Sequence, residues 1–400
     1  MLAIVVITLI LLAWALVSGR LARLSVTMPL VMLAAGIVLT AGASPVFIFD
    51  IEFESAEHIV EAILAILLFV DATEVPGGVF GRERPLVLRL LLIALPLSLV
   101  LAWVFGLALF GGAGLWLLAV LATVVMPVDL APAVAFVRSR RVPERLRNLV
   151  NVESGLNDGI VAPIFLIALA GATAAGGESL RDAAVDAVPS LLVAVVVGAV
   201  VGLVARWLLG KAVDAGWAGA SALRIGVLAL PLLAYAGAVA AHGNGFVAAF
   251  VAGVFFEPAA RKLPKGTLHL AEDVGELLSL ALWFIFGALV NQTLARGAIT
   301  WQVVVYAVLT LTVARVLPVV LALHRTDIAL RDRFVVGWVG PRGIATLVFG
   351  LLALVELHGP EADLALAVTV VTVVLSIVVH GLSTGWVIRR YPAPVDDPPA

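Results

Sequence analysis

Hydrophobic positions in this chain form long unbroken runs, neither the period-two alternation of half-buried strands nor the one-sided stripe of water-facing helices. Runs of roughly 15–27 residues recur from end to end, most long enough to cross about 30 Å of hydrocarbon as a helix. Glycine, proline and charged clusters divide them into thirteen segments, near 1–17, 27–41, 57–72, 85–110, 114–137, 146–171, 187–210, 222–240, 243–257, 270–292, 300–323, 334–356 and 362–388. The first run has no positively charged start and no small-residue cleavage site, so it reads as a span and not a leader. The turn His242-Gly243-Asn244-Gly245 separates the eighth and ninth segments.

Composition fits this picture. Of the 400 residues 62 % are hydrophobic and 13 % charged, with a mean hydropathy of +1.15. Soluble domains carry about 25 % charge. The predicted class is an all-α polytopic membrane protein, with no soluble domain and a Pro-rich, disordered tail over 391–400. With no cysteine, disulfides and thiolate metal sites are excluded, and a net charge of −2 argues against a nucleic-acid partner. The six histidines lack metal-ligand spacing, and phosphate-loop, His-Glu-x-x-His and Gly-x-Ser-x-Gly patterns are absent. A secondary transporter without cofactors is therefore expected in place of an ATP-driven pump or a membrane enzyme.

Charge asymmetry orients the spans. All but four of the 25 Lys and Arg residues fall on one side if thirteen segments alternate. Arg181 and Arg296 lie opposite, and Arg315 and Arg342 lie within spans. Loops on the other side are acidic, with Asp50, Glu52, Glu54, Glu57, Glu361 and Asp363. By the positive-inside rule the N-terminus is outside and the C-terminus cytoplasmic, in a bacterial inner membrane.

An ionisable residue at the centre of a membrane helix costs at least about 2.5–3.5 kcal/mol, so mid-span charges are functional candidates. The fifth segment carries Pro127 and Pro132 around Asp129, two missing backbone donors that break the helix or kink it there. Broken backbone at membrane depth is tolerated where it is buried or lines a cavity. In the sixth segment helical spacing puts Glu153 with Asn157 on one face and Ser154 with Asp158 on the next. The hydroxyl and carboxylate of the second face suit a hard cation such as Na⁺. Gly155 and Gly159 let another helix approach. Arg315, in the eleventh segment, needs a buried anion, and Glu153 is the most economical one, held as an architectural pair. The twelfth segment contains a second breaker, Gly340-Pro341-Arg342-Gly343, where Arg342 offsets exposed carbonyls. Two interrupted helices seven spans apart, an odd number, suggest inverted repeats around a midplane site. Asp71 and Glu74 at the end of the third segment, with Glu272, Asp273 and Glu276 at the start of the tenth, are candidates for a negative cytoplasmic funnel or for plain solvated acids.

The stretch Arg141-Val142-Pro143-Glu144-Arg145-Leu146-Arg147 followed by Asn151-Val152-Glu153-Ser154-Gly155-Leu156-Asn157-Asp158-Gly159 resembles the signature of the NhaP/NHE branch of monovalent cation/proton antiporters. Val313-Ala314-Arg315-Val316, Gly340-Pro341-Arg342-Gly343 and residues 245–253 extend the resemblance over nearly the whole chain. It implies an NhaA/NapA-like antiporter fold and a homodimer. Spans 1–3 and 8–10 (1–72 and 222–292) would form the dimerisation domain, span 7 (187–210) a linker, and spans 4–6 and 11–13 (85–171 and 300–388) the moving core. Asp158 would bind cation or proton, Asp129 and Asn157 would shape the site, and Ser154 would supply an oxygen. Asparagine before the key aspartate goes with electroneutral one-for-one exchange in that family. Where the family has Thr-Asp-Pro this chain has Val128-Asp129-Leu130, so any ligand from position 128 is its backbone carbonyl. Na⁺, Li⁺ and K⁺ stay open as cargo for pH and cation homeostasis, and a symporter or channel on broken helices is the rival class.

Overall fold

The computed structural model describes residues 2–23, 27–42, 53–74, 83–173, 180–260 and 263–392. Among these residues it is helical throughout, without strands. In chain order the helices are α1 (Leu2–Arg23), α2 (Met28–Thr40), α3 (Phe53–Glu74), α4 (Arg84–Leu109), α5a (Leu115–Val125) and α5b (Val134–Arg138). They continue as α6 (Glu144–Thr173), α7 (Leu180–Asp214), α8 (Ala220–Ala240), α9 (Gly245–Ala260) and α10 (His269–Ala295). The last are α11 (Trp301–Ala322), α12a (Leu330–Trp338), α12b (Ile344–Glu356) and α13 (Pro360–Arg389). Seven of them, α4, α6, α7 from Val188, α8, α10, α11 and α13, are long and apolar enough to cross a membrane by themselves. Of the others, α2, α5a, α9 and α12b are shorter apolar helices. Leu192, Val196 and Trp207 leave an apolar face of α7 bare at 63 %, 61 % and 58 % exposure, a face that suits lipid. The chain is a multi-pass membrane protein.

Helix packing forms two groups. In the first, α2 lies against α10, and α9 lies against α3, α7 and α8. Small residues make this packing close. A Cβ on Gly36 or Gly287 would collide with the backbone of the facing helix, and Gly198 and Gly202 of α7 sit on Ala248 and Ala252 of α9 in the same way. The second group joins α4, α5a, α6, α11, α12b and α13, with Phe165 of α6 stacked on Phe349 of α12b at 4.6 Å between centroids. The groups meet where α3, α9 and α10 touch α6, α12b and α13. Arg296, just past α10, bridges this seam to Asp363 of α13 at 2.6 Å.

The structure departs from the pattern of apolar runs in three places. In α4 a π-turn, Leu90–Ala94, precedes Pro96, and the Leu95 N–H reaches back to Leu90 O. In α11 the helix is interrupted at Thr312, whose Oγ1 donates to Val308 O at 2.6 Å in competition with the backbone. And α6 runs to 30 residues, because its polar first turns, Glu144 to Asn151, continue the helix beyond the apolar run. In the first turn of α6, Arg145 joins Glu83 at 3.0 Å to Asp327 at 2.5 Å, and its guanidinium holds the Asp327 carboxyl below the usual carboxylate range. The tail from 393, Arg82, Arg261, Lys262 and the acidic positions 50 and 52 lie outside the described residues, as does the side chain of Glu74.

Candidate functional site: two crossed helix breaks

Prolines at 127 and 132 cannot donate backbone hydrogen bonds, and the chain between α5a and α5b unwinds over 126–130 before a short 3₁₀ turn, Ala131–Ala133. The Gly340-Pro341-Arg342-Gly343 run unwinds the chain between α12a and α12b. The two unwound segments cross. The Asp129 N–H donates to Pro341 O at 2.9 Å. Its carboxylate accepts from both sides of the crossing, Oδ1 from the Ala131 N–H at 2.8 Å and Oδ2 from the Ile344 N–H at 2.9 Å. Asp129 thus caps the first turn after each break, placing negative charge where free N–H groups and the helix dipole favour it. Gly343 is glycine for a steric reason: a Cβ there would fall on the Asp129 carboxylate.

Neighbouring helices hold the unwound strands in place. From α6, Asn157 Oδ1 accepts the Val128 N–H at 3.3 Å, and Ser154 Oγ donates to Val128 O at 2.8 Å. From α13, Ser376 Oγ accepts the Arg342 N–H at 2.7 Å and lies 3.1 Å from His380 Nδ1. The Arg342 side chain is fully buried and its Nη1 donates to Gly340 O at 3.1 Å, with Pro127 O at the 3.5 Å limit. Free carbonyls of both breaks therefore share one guanidinium. Arg315 donates Nη1 to Glu153 Oε1 at 2.7 Å and Nη2 to Glu153 Oε2 at 2.6 Å, a bidentate pair with both side chains buried. Its Nε abuts Gly340, where a Cβ would collide.

Asp158 borders a cavity of about 250 Å³ on the seam between the two helix groups. Asp129 and Val128 of the first break, Ser154 and Asn151 of α6, Ala345 of α12b and Asp71 of α3 share its wall. Asp158 is 7 % exposed, and its Oδ1 accepts no hydrogen bond among the described residues. The rim at Asp71, Val137 and Asn151 is partly exposed, whereas Val128 and Ala345 at the back are buried. Carboxylate, hydroxyl, amide and backbone oxygens around a small cavity are hard donors of the kind alkali cations take. Phe250 of α9 covers Gly159, next to Asp158, so closely that a Cβ there would enter the ring.

Of the residues singled out in the sequence, Asp158, Asp129, Ser154, Val128 and Asp71 line one cavity. Asn157 stands behind it and fixes the Val128 backbone. Glu153, Arg315 and Arg342 brace the breaks. Glu276 and Asp273 are exposed on α10 and do not line this cavity, and Glu272 is half-buried there. Sequence reasoning met Asn151 and Phe250 only within the stretches that carry the family resemblance, without a role of their own, and passed over Ser376 and His380. For Ser376 and His380, i, i+4 polar residues in an apolar helix were a usable signal, whereas Phe250 gave none.

Comparison with known proteins agrees with this architecture. Residues 6–390 match the family described as "Sodium/hydrogen exchanger, transmembrane". A K(+)/H(+) antiporter, NhaP2 of Shewanella oneidensis, is 24 % identical over 96 % of this chain and 66 % of its own length. The Na(+)/H(+) antiporter NhaP of Pseudomonas aeruginosa is 28 % identical over 66 % of this chain and 64 % of its own. The chain spans about two thirds of the length of such relatives. The structure of the sodium proton antiporter MjNhaP1 from Methanocaldococcus jannaschii superposes with a TM-score of 0.72 at 18 % identity, covering 95 % of this chain and 98 % of that one. This chain is a member of the transmembrane sodium/hydrogen exchanger family.

Proposed function

We propose that this chain exchanges a monovalent cation, Na⁺ or alternatively K⁺ or Li⁺, for H⁺ by alternating access, with Asp158 as the shared site. The observation that carries the reading is the free Oδ1 of a buried Asp158 beside two crossed helix breaks. A buried carboxylate with an unfilled acceptor must take a proton or a cation. Each excludes the other from the same oxygens, so opposite fluxes are coupled without a further energy source. Ser154, the Val128 carbonyl and Asp129 complete the cation's shell in this proposal, and Asp71 attracts it at the mouth. The helix group bearing the breaks rocks against the group containing α2, α3 and α8–α10, which forms the homodimer contact. Thirteen crossings with the N-terminus outside put the half-exposed rim on the cytoplasmic side, consistent with an inward-facing state whose outer end is closed by the Phe165–Phe349 stack and the Arg296–Asp363 bridge. One proton against one cation makes the exchange electroneutral.

The test uses the full chain in proteoliposomes, with a pH-sensitive dye inside and Na⁺, K⁺ or Li⁺ added in turn. Cation-driven proton efflux should appear for at least one of them and be insensitive to membrane potential. The apparent KM for the cation should rise about tenfold per pH unit below the site's titration point, as one-proton competition requires. Asp158→Asn should abolish the flux in a protein that still purifies as a folded dimer. Exchange that survives in that variant, or a KM flat across pH, removes Asp158 from the mechanism.

A further inference from the structure

Away from the crossing, the ends of α11, α12a and α13 enclose a second cavity of about 460 Å³. This is within the roughly 300–1,000 Å³ of ligand pockets. Its walls are apolar: Val316, Val335, Trp338 and Val387, with Phe334 and Trp386 half exposed at its mouth. Ser383, the polar uncharged residue in the wall, already accepts the Trp338 Nε1–H at 2.9 Å. Two cations close one end. Arg331 donates to the Arg390 carbonyl and lies 4.9 Å from the Tyr391 ring, while Arg390 stacks on Trp386 at 3.9 Å. Among the described residues neither guanidinium pairs with a carboxylate. The nearby Asp332 instead takes the Tyr391 hydroxyl at 2.8 Å.

We propose that this groove is a binding site for an anionic phospholipid, with the phosphodiester on Arg331 and Arg390 and an acyl chain along Val316, Trp338 and Val387. An apolar slot with two unpaired cations at one end matches an amphiphile bearing one anion. A soluble anion would leave the slot empty, and a zwitterionic lipid would bring its own cation against the arginines. Phe334 and Trp386 stand where aromatic side chains gather at a membrane–water boundary. The site needs only that the chain spans a membrane; it is independent of the exchange reading.

Native mass spectrometry of the purified full chain, titrated with phosphatidylglycerol or phosphatidylcholine of matched chains, tests it. Phosphatidylglycerol should bind preferentially. A basic residue at an anionic surface is worth about fivefold in affinity, so Arg331→Gln with Arg390→Gln should lose on the order of thirtyfold. Val316→Trp fills the slot while keeping both cations, and should weaken the lipid but leave binding of glycerol 3-phosphate unchanged. Thermal unfolding in phosphatidylcholine checks that each variant is folded; should Val316→Trp fail, Val387→Phe serves the same purpose. Equal affinity for the two lipids, or full binding by the filled variant, overturns the proposal. So does lipid binding that appears only after residues 393–400 are removed, since the occupant would then be the chain's own acidic tail.

Discussion

Glu153 and Arg315 form the most deeply buried ion pair among the described residues, and its energetics can be worked in advance. Their side chains are 0 % and 4 % exposed, and both guanidinium Nη atoms are engaged at 2.6–2.7 Å. Arg315→Met leaves an uncompensated buried carboxylate, Glu153→Leu an uncompensated buried guanidinium. Each should cost about 3–5 kcal/mol. The combined substitution replaces a buried pair by apolar groups of similar length, which is near neutral to about 2 kcal/mol here, because Arg315 also fills the space against Gly340. The coupling energy is then several kcal/mol, well above the ~0.5 kcal/mol expected of independent sites. Equilibrium unfolding in mixed SDS and maltoside micelles, read by tryptophan fluorescence, supplies all four corners of the cycle. A combined variant as unstable as the two single losses added together would refute the pairing as the source of the energy.

Two further outcomes follow from the crossing and its cover. Asp129→Asn keeps the shape but presents an amide N–H to one of two backbone donors, so one helix cap is lost and a buried donor is left facing another; stability should fall by about 2–4 kcal/mol in the same micelle assay, and a change below 0.5 kcal/mol would show that the caps carry no weight. Gly159→Ala should slow exchange sharply by driving a methyl into the Phe250 ring, and Phe250→Leu should restore it in the double variant; no rescue would mean that the seam is not limited by this contact.

The sequence carried more of the breaks than of their joining. Prolines at 127 and 132 and the Gly-Pro-Arg-Gly run act locally, through missing donors, and are readable without any partner. A buried arginine likewise demands an anion wherever the fold finds one. What local reasoning lacks is contact across distance. Asp129 reads as a ligand or a kinked-helix acid, yet both its oxygens cap backbone, one of them 215 residues away at Ile344. Glu276 reads as a funnel acid or as a plain solvated one, and only the packing of α10, which leaves it exposed and off the cavity that Asp71 borders, separates the two. The interruption at Thr312 escaped because threonine in a hydrophobic run is ordinary until its hydroxyl competes for a carbonyl.

The double role of Asp129 has a mechanical consequence. One carboxylate tethered to both half-helices, with the Asp129 N–H on Pro341 O, makes the two discontinuities a single cassette that cannot shear internally without losing two hydrogen bonds, Asp129 N–H to Pro341 O and Ile344 N–H to Asp129 Oδ2. In the exchange proposed above, a cation carried by such a cassette would meet the same oxygens whichever way it faced. Its intrinsic affinity is then equal from both sides, and direction is set only by the concentrations outside and in. Under the proposed alternating access, asymmetry would have to come from the residues around the cassette, such as Asp71 of α3 on the cavity wall and Arg296 on the seam.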